Sequence, residues 1–180
     1  MSWTTRDSRT VYENRWIRVR EDAVVRPDGE AGIYGVVEMV HPAVFVVALS
    51  ATDEVVLVEQ ERYTIGARSL EVPAGASDGE DGLVAAQREL REETGLVAAN
   101  WRPLGRMNAL NGIADAPELV YLATDLSSAP EGDERHEEGI TAVVRIPFTE
   151  VLRKVADGEI VDGETIAALA FAGIALGRFT

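Results

Sequence analysis

Apolar and charged residues alternate along the first part of this 180-residue chain. The alternation from Val11 to Val25 is loose but predicts a β-strand, and Arg26–Gly29 (RPDG) is a turn signal. Apolar residues return from Tyr34 to Val40. Together these segments predict an antiparallel strand pair that precedes the main fold.

Longer apolar runs predict the remaining elements. Val44–Leu49 is uninterrupted, Ser50–Asp53 has the composition of a turn, and Val55–Val58 is apolar again, which predicts a central hairpin. We expect the main sheet to begin there. Further strands are predicted at Trp101–Met107, Glu118–Ala123 and Val143–Phe148, helices at Thr149–Ala156 (opened by Thr149) and Asp162–Gly177, and loops at Asn108–Pro117 and Ser127–Gly139.

Another helix is predicted within Glu71–Leu96, EVPAGASDGEDGLVAAQRELREETGL. Asp78 or Asp81 is in position to cap its start, and Gly95 suits the left-handed position at its end. The first turn is expected to carry acidic residues, which favour a helix N-terminus. The buried face of this helix is expected to contain Leu83, Ala86 and Leu90.

Three carboxylates follow one another at helical spacing. Glu89, Glu92 and Glu93 stand three and four residues apart, which places them on one face of the helix, and we expect that face to be exposed. Like charges this close are unfavourable unless a cation cancels them. Hard oxygen ligands suit Mg²⁺ or Mn²⁺, and zinc is less favoured because the stretch has no His or Cys. The alternative is an ordinary solvated acidic face.

Arg88 lies beside these acids in the sequence. It stands one turn before Glu92 and is also able to reach back to Glu80. We therefore interpret Arg88 as a structural residue that orients the carboxylates and offsets their charge.

The segment from Arg88 to Leu96, RELREETGL, resembles the signature box of the Nudix hydrolases. That box is a glycine, five residues, a glutamate, seven residues, and then Arg-Glu-aliphatic-any-Glu-Glu-any-Gly-aliphatic. Glu80 and the seven-residue spacer Asp81–Gln87 also fit it. One departure is visible, because only four residues separate Gly75 from Glu80 unless Ala74 takes the place of the glycine.

The resemblance extends from about Val11 to Leu176 and implies the fold. We expect a single α/β Nudix domain over residues 1–180, an α/β/α sandwich with a mixed β-sheet between helices. Residues 1–40 are then an N-terminal antiparallel extension used for dimerisation, and residues 41–180 are the catalytic core. A homodimer is the expected assembly.

The resemblance is strongest to the ADP-ribose pyrophosphatase and ADP-sugar branch of the family. It implies Mg²⁺-dependent hydrolysis of a nucleoside diphosphate linked to another group, with ADP-ribose or an ADP-sugar giving AMP and a sugar phosphate, and with Mn²⁺ able to substitute. The metal ligands are then expected to be Glu89, Glu92, Glu93 and the carbonyl of Ala74. The family draws a further catalytic glutamate from the loop before the last strand, so the candidates for the general base are Glu138, Glu137 and Glu89.

Three residues are candidates for binding the substrate. The segment Glu59–Arg68, which links the hairpin to the box, resembles the Gln-any-Arg-Tyr segment of ADP-ribose pyrophosphatases and carries Arg62 and Arg68. A guanidinium clamps phosphate oxygens bidentately, although Arg62 has the alternative of an ion pair with Glu59 or Glu71. Trp16 is a candidate for stacking on adenine, with packing in a core or an interface as the alternative.

Composition narrows the class of protein further. The chain is 46% hydrophobic and 27% charged, which is ordinary for a globular domain, but its net charge is −14. So acidic a surface argues against binding nucleic acid or an anionic membrane. The absence of cysteine excludes disulfides and thiolate catalysis, MSWTTRDSRT has no apolar signal core, and Ile166–Leu176 is too short to span a bilayer. We expect a soluble cytoplasmic protein.

Two other functions share these residues. A hydrolase of nucleoside triphosphates or of another diphosphate conjugate would have the same box, and only substrate profiling separates it from an ADP-sugar hydrolase. A non-catalytic nucleotide sensor is the second alternative. Such sensors commonly lose box glutamates or carry a DNA-binding domain, and this chain has neither feature.

Overall fold

The structure, a computed structural model, describes residues 2–130 and 139–179. Its contacts form two compact units, one of Met1–Pro42 with Met107–Glu118 and one of Ala43–Arg106 with Leu119–Thr180. In chain order the elements are β1 (Thr4–Glu13), β2 (Ile17–Val25), β3 (Ala31–Met39), β4 (Ala43–Leu49), β5 (Glu54–Arg62), β6 (Ala67–Glu71), β7 (Ala74–Ala76), α1 (Gly82–Thr94), β8 (Leu96–Asn108), β9 (Ala114–Asp115), β10 (Pro117–Ser128), β11 (Ile140–Pro147), α2 (Phe148–Ala156) and α3 (Gly163–Ala175).

The first unit is a four-stranded sheet in the order β1-β2-β3-β9. The predicted antiparallel pair is confirmed as β2 and β3, with Ile17 opposite Met39 and Val25 opposite Ala31, but the strand predicted at Val11–Val25 is broken by a turn between β1 and β2. The sequence did not predict β1, whose residues are all exposed and give no apolar pattern to read. The predicted loop at 108–117 is corrected in part, because β9 lies within it and pairs in parallel with β3.

The second unit contains the larger sheet, in the order β11-β5-β4-β10-β8, with β6 beside β5 and β7 beside β4. The predicted hairpin of β4 and β5 is confirmed, with Leu49 opposite Val55. However, β5 does not end at Val58. It continues to Arg62 and turns into β6, so the segment predicted as a link is itself a strand pair. Charged residues occupy its outer half, which is why hydrophobicity ended the strand too early.

Both faces of β4 are buried. Val44, Val46 and Ala48 alternate along the strand and pack with the apolar face of α1, where Ala86 and Leu90 are completely buried. Val47, which points to the opposite face, is also completely buried, and both α1 and α3 lie against β4. A mixed α/β fold with helices packed on a central strand is the architecture predicted from the sequence.

Helix α1 begins and ends where its caps dictate. The Asp81 side chain accepts a hydrogen bond from the backbone N–H of Leu83 at 2.9 Å, so Asp81 and not Asp78 is the N-cap. Gly95 ends the helix with a left-handed φ of 69°, as predicted. The first turn carries no acidic residue, which corrects the prediction, since Glu80 and Asp81 precede the helix.

The two later helices, predicted at Thr149–Ala156 and Asp162–Gly177, are confirmed with small shifts of their bounds. Helix α2 begins at Phe148, after Pro147 at the cap position, so Thr149 does not open it. Helix α3 is capped by Asp162, whose carboxylate accepts from the N–H of Thr165 at 2.7 Å. Among the described residues, no helix combines the length and the apolar character needed to cross a membrane.

Candidate active site

The three glutamates of α1 lie on the side of the helix that faces the protein. Glu89 and Glu93 are only 7% and 4% exposed, and the side chain of Glu92 is 13% exposed. The expectation of an exposed acidic face was therefore wrong. Burial makes the repulsion between the carboxylates stronger than it would be in water, so the protein must supply compensating donors.

Arg88 supplies part of this compensation. Its Nη1 donates to Glu89 Oε1 at 2.7 Å and to Glu92 Oε2 at 3.1 Å, and its Nε donates to Glu80 Oε2 at 2.9 Å. Its Nη2 donates to the carbonyl of Ala76 at 2.8 Å. Burial alone would lower the pKa of Arg88, but the hydrogen bond to Glu80 and the neighbouring carboxylates outweigh it and raise that pKa. The predicted contact with Glu80 is confirmed.

Strand β7 forms the opposite wall of the site. The backbone N–H of Ala74 donates to Glu93 Oε2 at 2.9 Å and so fixes this carboxylate on the strand. Gly75 lies directly against Glu89, because a Cβ at this position would stand 2.1 Å from Glu89 Oε1. The site thus requires a glycine here for close approach and not for an unusual backbone angle.

The short segment between Gly75 and Glu80 closes by a tight turn. Asp78 and Gly79 both have left-handed backbone angles, with φ of 50° and 85°, and the N–H of Glu80 donates to the carbonyl of Ser77 at 2.8 Å. Two successive positive φ angles with this hydrogen bond define a type I′ turn. The turn brings Glu80 back to Arg88 despite the missing residue.

Arg62 and Glu71 form an ion pair across the β5–β6 hairpin. Glu71 is 4% exposed and accepts from Arg62 Nε at 2.9 Å, from Arg62 Nη2, and from Gln60 Nε2 at 3.3 Å. The hydrogen bond to Glu71 is the main cause of a raised pKa of Arg62, and the charge of Glu93 adds to it. This is the ion pair that the sequence left open as an alternative. From the sequence, Glu71 was named only as a possible partner of Arg62 and not as a site residue. The signal that could have identified it is an acid between the apolar residues Leu70 and Val72 at the end of a strand.

The other two substrate candidates are more exposed. Arg68 pairs with Glu59 at 3.1 Å on the outer part of the hairpin, and its side chain is 70% exposed. Trp16 belongs to the first unit, is 55% exposed, and has the guanidinium of Arg15 over its ring at 4.2 Å. Glu137 and Glu138, the candidates for the general base, lie outside the described residues.

The N-terminus of α3 adds more acidic residues to the second unit. Burial is the main cause that raises the pKa of Glu164, and the charges of Asp162 and Glu71 act in the same direction. The completely buried Thr165 donates its backbone N–H to Asp162 at 2.7 Å, and its hydroxyl oxygen accepts from the N–H of Val72 at 3.1 Å. These contacts tie α3 to the segment that carries Glu71.

Comparison with known proteins identifies the family. Residues 39–169 match the NUDIX domain, and residues 3–37 match the nucleoside diphosphate sugar hydrolase N-terminal domain. The chain belongs to the Nudix family. The resemblance predicted from the signature box is confirmed, and the family match extends to the N-terminal segment.

Individual relatives support the same branch for this Nudix protein. It is 36% identical over 167 residues to an ADP-ribose pyrophosphatase of Mycobacterium tuberculosis, covering 92% of this chain and 80% of the relative. It is 29% identical to an ADP-ribose pyrophosphatase of Bacillus subtilis, covering 89% and 87%. Among solved structures, an ADP compounds hydrolase superposes with a TM-score of 0.86 over 99% of this chain and 96% of that one. At 21% identity, this last match shows the shared fold.

Nudix hydrolases in general use divalent metal ions, and the donor set of this site fits such an ion. Over residues 2–130 and 139–179, no three or more Asp, Glu, His or Cys side chains are gathered closely enough to hold a metal. Instead, the guanidinium of Arg88 donates to both Glu89 and Glu92. The position between these two carboxylates already holds positive charge, and all the donors are hard oxygens of the kind that Mg²⁺ prefers.

Proposed function

We propose that this Nudix hydrolase cleaves the diphosphate of ADP-ribose or a related ADP-sugar, giving AMP and a sugar phosphate, with Mg²⁺ as its cofactor and Mn²⁺ able to replace it. The observation that carries the proposal is the pairing of Glu89 and Glu92 with Arg88, beside a Glu93 held by strand β7, within a Nudix domain. The substrate class is supported by the N-terminal match and by the two pyrophosphatase relatives.

The residues that would hold the metal are Glu89, Glu92, Glu93 and the carbonyl of Ala74. Bound there, a divalent cation would polarise the diphosphate, neutralise charge on the leaving phosphate and lower the pKa of a bound water. Strand β7 holds Glu93 through the Ala74 amide. Arg88 offsets the repulsion between Glu89 and Glu92.

A carboxylate must also take a proton from the attacking water, and the candidates are Glu138, Glu137 and Glu89. Because the leaving group is itself a phosphate, the reaction does not need a strong general acid.

Glu138→Gln is expected to lower turnover about a hundredfold while the affinity for Mn²⁺ stays within about twofold, as general-base catalysis contributes roughly 10²–10⁴. Steady-state kinetics and calorimetric Mn²⁺ titration measure the two quantities. Unchanged turnover in Glu138→Gln together with a loss in Glu137→Gln would move the base to Glu137.

Arg62 is the better placed of the two arginine candidates for the diphosphate. Glu71 fixes its guanidinium, while 44% of the side chain remains accessible. Fixing an arginine in advance reduces the conformational entropy lost when it binds phosphate oxygens. Arg68 pairs with Glu59, and each of these side chains is more exposed than its counterpart in the Arg62–Glu71 pair, so Arg68 serves as the matched comparison.

Arg62→Lys is expected to raise KM about tenfold or more, because a hydrogen bond to a charged group contributes roughly 1.5–3 kcal/mol. The lysine keeps a positive charge beside buried Glu71, so the fold is retained and the melting temperature verifies this. Arg68→Lys is expected to leave KM within about twofold. Equal effects of the two substitutions would remove the distinction between these arginines.

A panel of substrates with Mg²⁺ tests the proposed function. Purified enzyme is incubated with ADP-ribose, other ADP-sugars, GDP-mannose and ATP, and phosphate monoester products are measured after treatment with phosphatase. We expect the highest kcat/KM for ADP-ribose or another ADP-sugar. A preference for ATP, or hydrolysis of none of these compounds, would contradict the proposal.

We also propose that the enzyme is a homodimer formed through its N-terminal strands. Strand β1 is exposed along its whole length. Large apolar side chains of the same unit are also accessible, with Tyr12 at 55%, Ile33 at 72% and Met39 at 41%. Exposed apolar residues grouped on one sheet are typical of an association surface. Sedimentation equilibrium of the full chain would measure a monomer mass if this proposal is wrong.

A further inference from the structure

Glu92 is held by two different arginines. Its Oε2 accepts from Arg88 Nη1 at 3.1 Å, and its Oε1 accepts from Arg91 Nη2 at 2.7 Å. Arg88 is a fixed position of the signature box, whereas Arg91 occupies a position at which the box accepts any residue. The contact with Arg91 is therefore a property of this chain and not of the motif.

The two contacts define how the carboxylate is turned. Arg88 Nη1 bridges Glu92 Oε2 and Glu89 Oε1, so these two oxygens approach the same positively charged nitrogen. Arg91 holds the remaining oxygen of Glu92. The consequence is that Glu92 keeps one defined oxygen, Oε2, on the nitrogen that also holds Glu89, while Arg91 fixes its other oxygen.

Arg91 makes this contact from a cleft on the side of α1. Its Nε is shielded from solvent, and within residues 2–130 and 139–179 no acceptor is hydrogen-bonded to it. A buried donor without a partner costs free energy, so packing and the bond to Glu92 must offset this cost for Arg91. The cleft has a volume of about 290 Å³ and is lined by Val84, Gln87, Arg91, Val97, Ala98 and Trp101.

We propose that Arg91 is a positioning residue that orients Glu92 toward Glu89 and thereby strengthens binding of the divalent cation. This inference rests on the proposed function, in which both glutamates hold the metal. Partners that orient a metal-ligating side chain typically contribute a factor of about 10 to 100 in metal affinity. The Arg91 side chain is 42% exposed, so we expect an effect at or below the lower end of that range.

Simple electrostatics predicts the opposite sign. Arg91 is a cation near a cation site, so removing it would strengthen metal binding if charge were its only contribution. If Arg91 acts by orientation, removing it weakens metal binding despite the gain in negative charge. The sign of the change therefore separates the two roles.

The test is calorimetric titration of Mn²⁺ into the full-length protein without substrate. Arg91→Gln is expected to raise the Kd about five- to tenfold, and Arg91→Lys, which retains the charge but not the planar fork, is expected to fall between Arg91→Gln and the wild type. Arg102→Gln is the control for net charge, because Arg102 is exposed and donates to the carbonyl of Ala175 at 3.4 Å, away from the carboxylates of α1. Its Kd is expected to equal that of the wild type or to be slightly lower. The Mn²⁺ concentration for half-maximal turnover should shift in the same direction as each Kd.

A Kd for Arg91→Gln that equals or falls below the wild-type value would overturn the role of Arg91, while wild-type binding and hydrolysis would leave the proposed function intact. Failure of the wild type itself to bind Mn²⁺ would overturn both. Circular dichroism verifies folding of each variant. If Arg91→Gln is unfolded, Arg91→Lys decides the question, since its charge is unchanged and only orientation can weaken its binding.

Discussion

Glu93→Gln and Glu92→Gln are each expected to lower turnover about a thousandfold, which corresponds to roughly 4 kcal/mol of transition-state stabilisation. Each substitution removes one negative charge from the proposed metal site and keeps the shape of the side chain. In Glu93→Gln, the amide oxygen is still able to accept from the N–H of Ala74, a bond of 2.9 Å in the native protein. The loss should therefore reflect the metal ligand and not a disordered strand.

Stability distinguishes this interpretation from a structural one. Neutralising one acid in a crowded group relieves repulsion, which offsets the loss of its pairing with arginine. We expect melting temperatures without metal within about 4 °C of the wild type, since roughly 1 kcal/mol corresponds to 2–4 °C for a chain of this size. Glu159→Gln is the matched control, because Glu159 is an exposed acid that pairs with Lys154 on α2. Near-normal turnover in either site variant would refute the assignment of that residue.

Features encoded within a few residues were predictable from the sequence. Helix α1, its glycine end and the common face of its acids all follow from helical spacing and capping preferences. The contact from Arg88 to Glu80 is also local, because only the N-cap Asp81 and the first turns of α1 separate these two residues. These interactions depend on local geometry, which a single sequence specifies well.

Features that depend on distant segments were not predictable to the same degree. The depth of burial of Glu89 and Glu93 is set by β7 and the sheet beneath it, and no periodicity within α1 encodes that wall. The last residues of β5, up to Arg62, are polar, so burial of apolar side chains does not explain the strand there. Pairing with β6 stabilises this part of β5 instead. The same pairing brings Arg62 to Glu71, so the choice between the two interpretations of this arginine needed the register of the hairpin.

The shortened loop before Glu80 shows how a local departure from the motif is absorbed. The type I′ turn at Asp78 and Gly79 reverses the chain within four residues, so Glu80 still reaches Arg88. A longer loop is not needed to complete the carboxylate network. Gly75 remains against Glu89, which assigns the close-approach role of the motif glycine to Gly75 and not to Ala74.

Gly75→Ala is expected to lower turnover about a hundredfold with little change in the melting temperature. The added Cβ would stand 2.1 Å from Glu89 Oε1, so this carboxylate must move by roughly 1 Å, and a displacement of that size at a catalytic group is able to cost about 10² in rate. The three nearest atoms that it would meet all belong to the Glu89 side chain, which can turn away without disturbing the backbone. Alanine is also compatible with a strand, so β7 should persist.

Two comparisons make this prediction specific. Gly163→Ala adds the same methyl group at a position with nothing within 4 Å and is expected to leave turnover unchanged. In a Glu89→Gln background, Gly75→Ala should cause little further loss, because the group it displaces has already lost its charge. Full additivity of the two losses would show that Gly75 acts through some other part of the site, and normal turnover in Gly75→Ala alone would show that the position of Glu89 is not critical for hydrolysis.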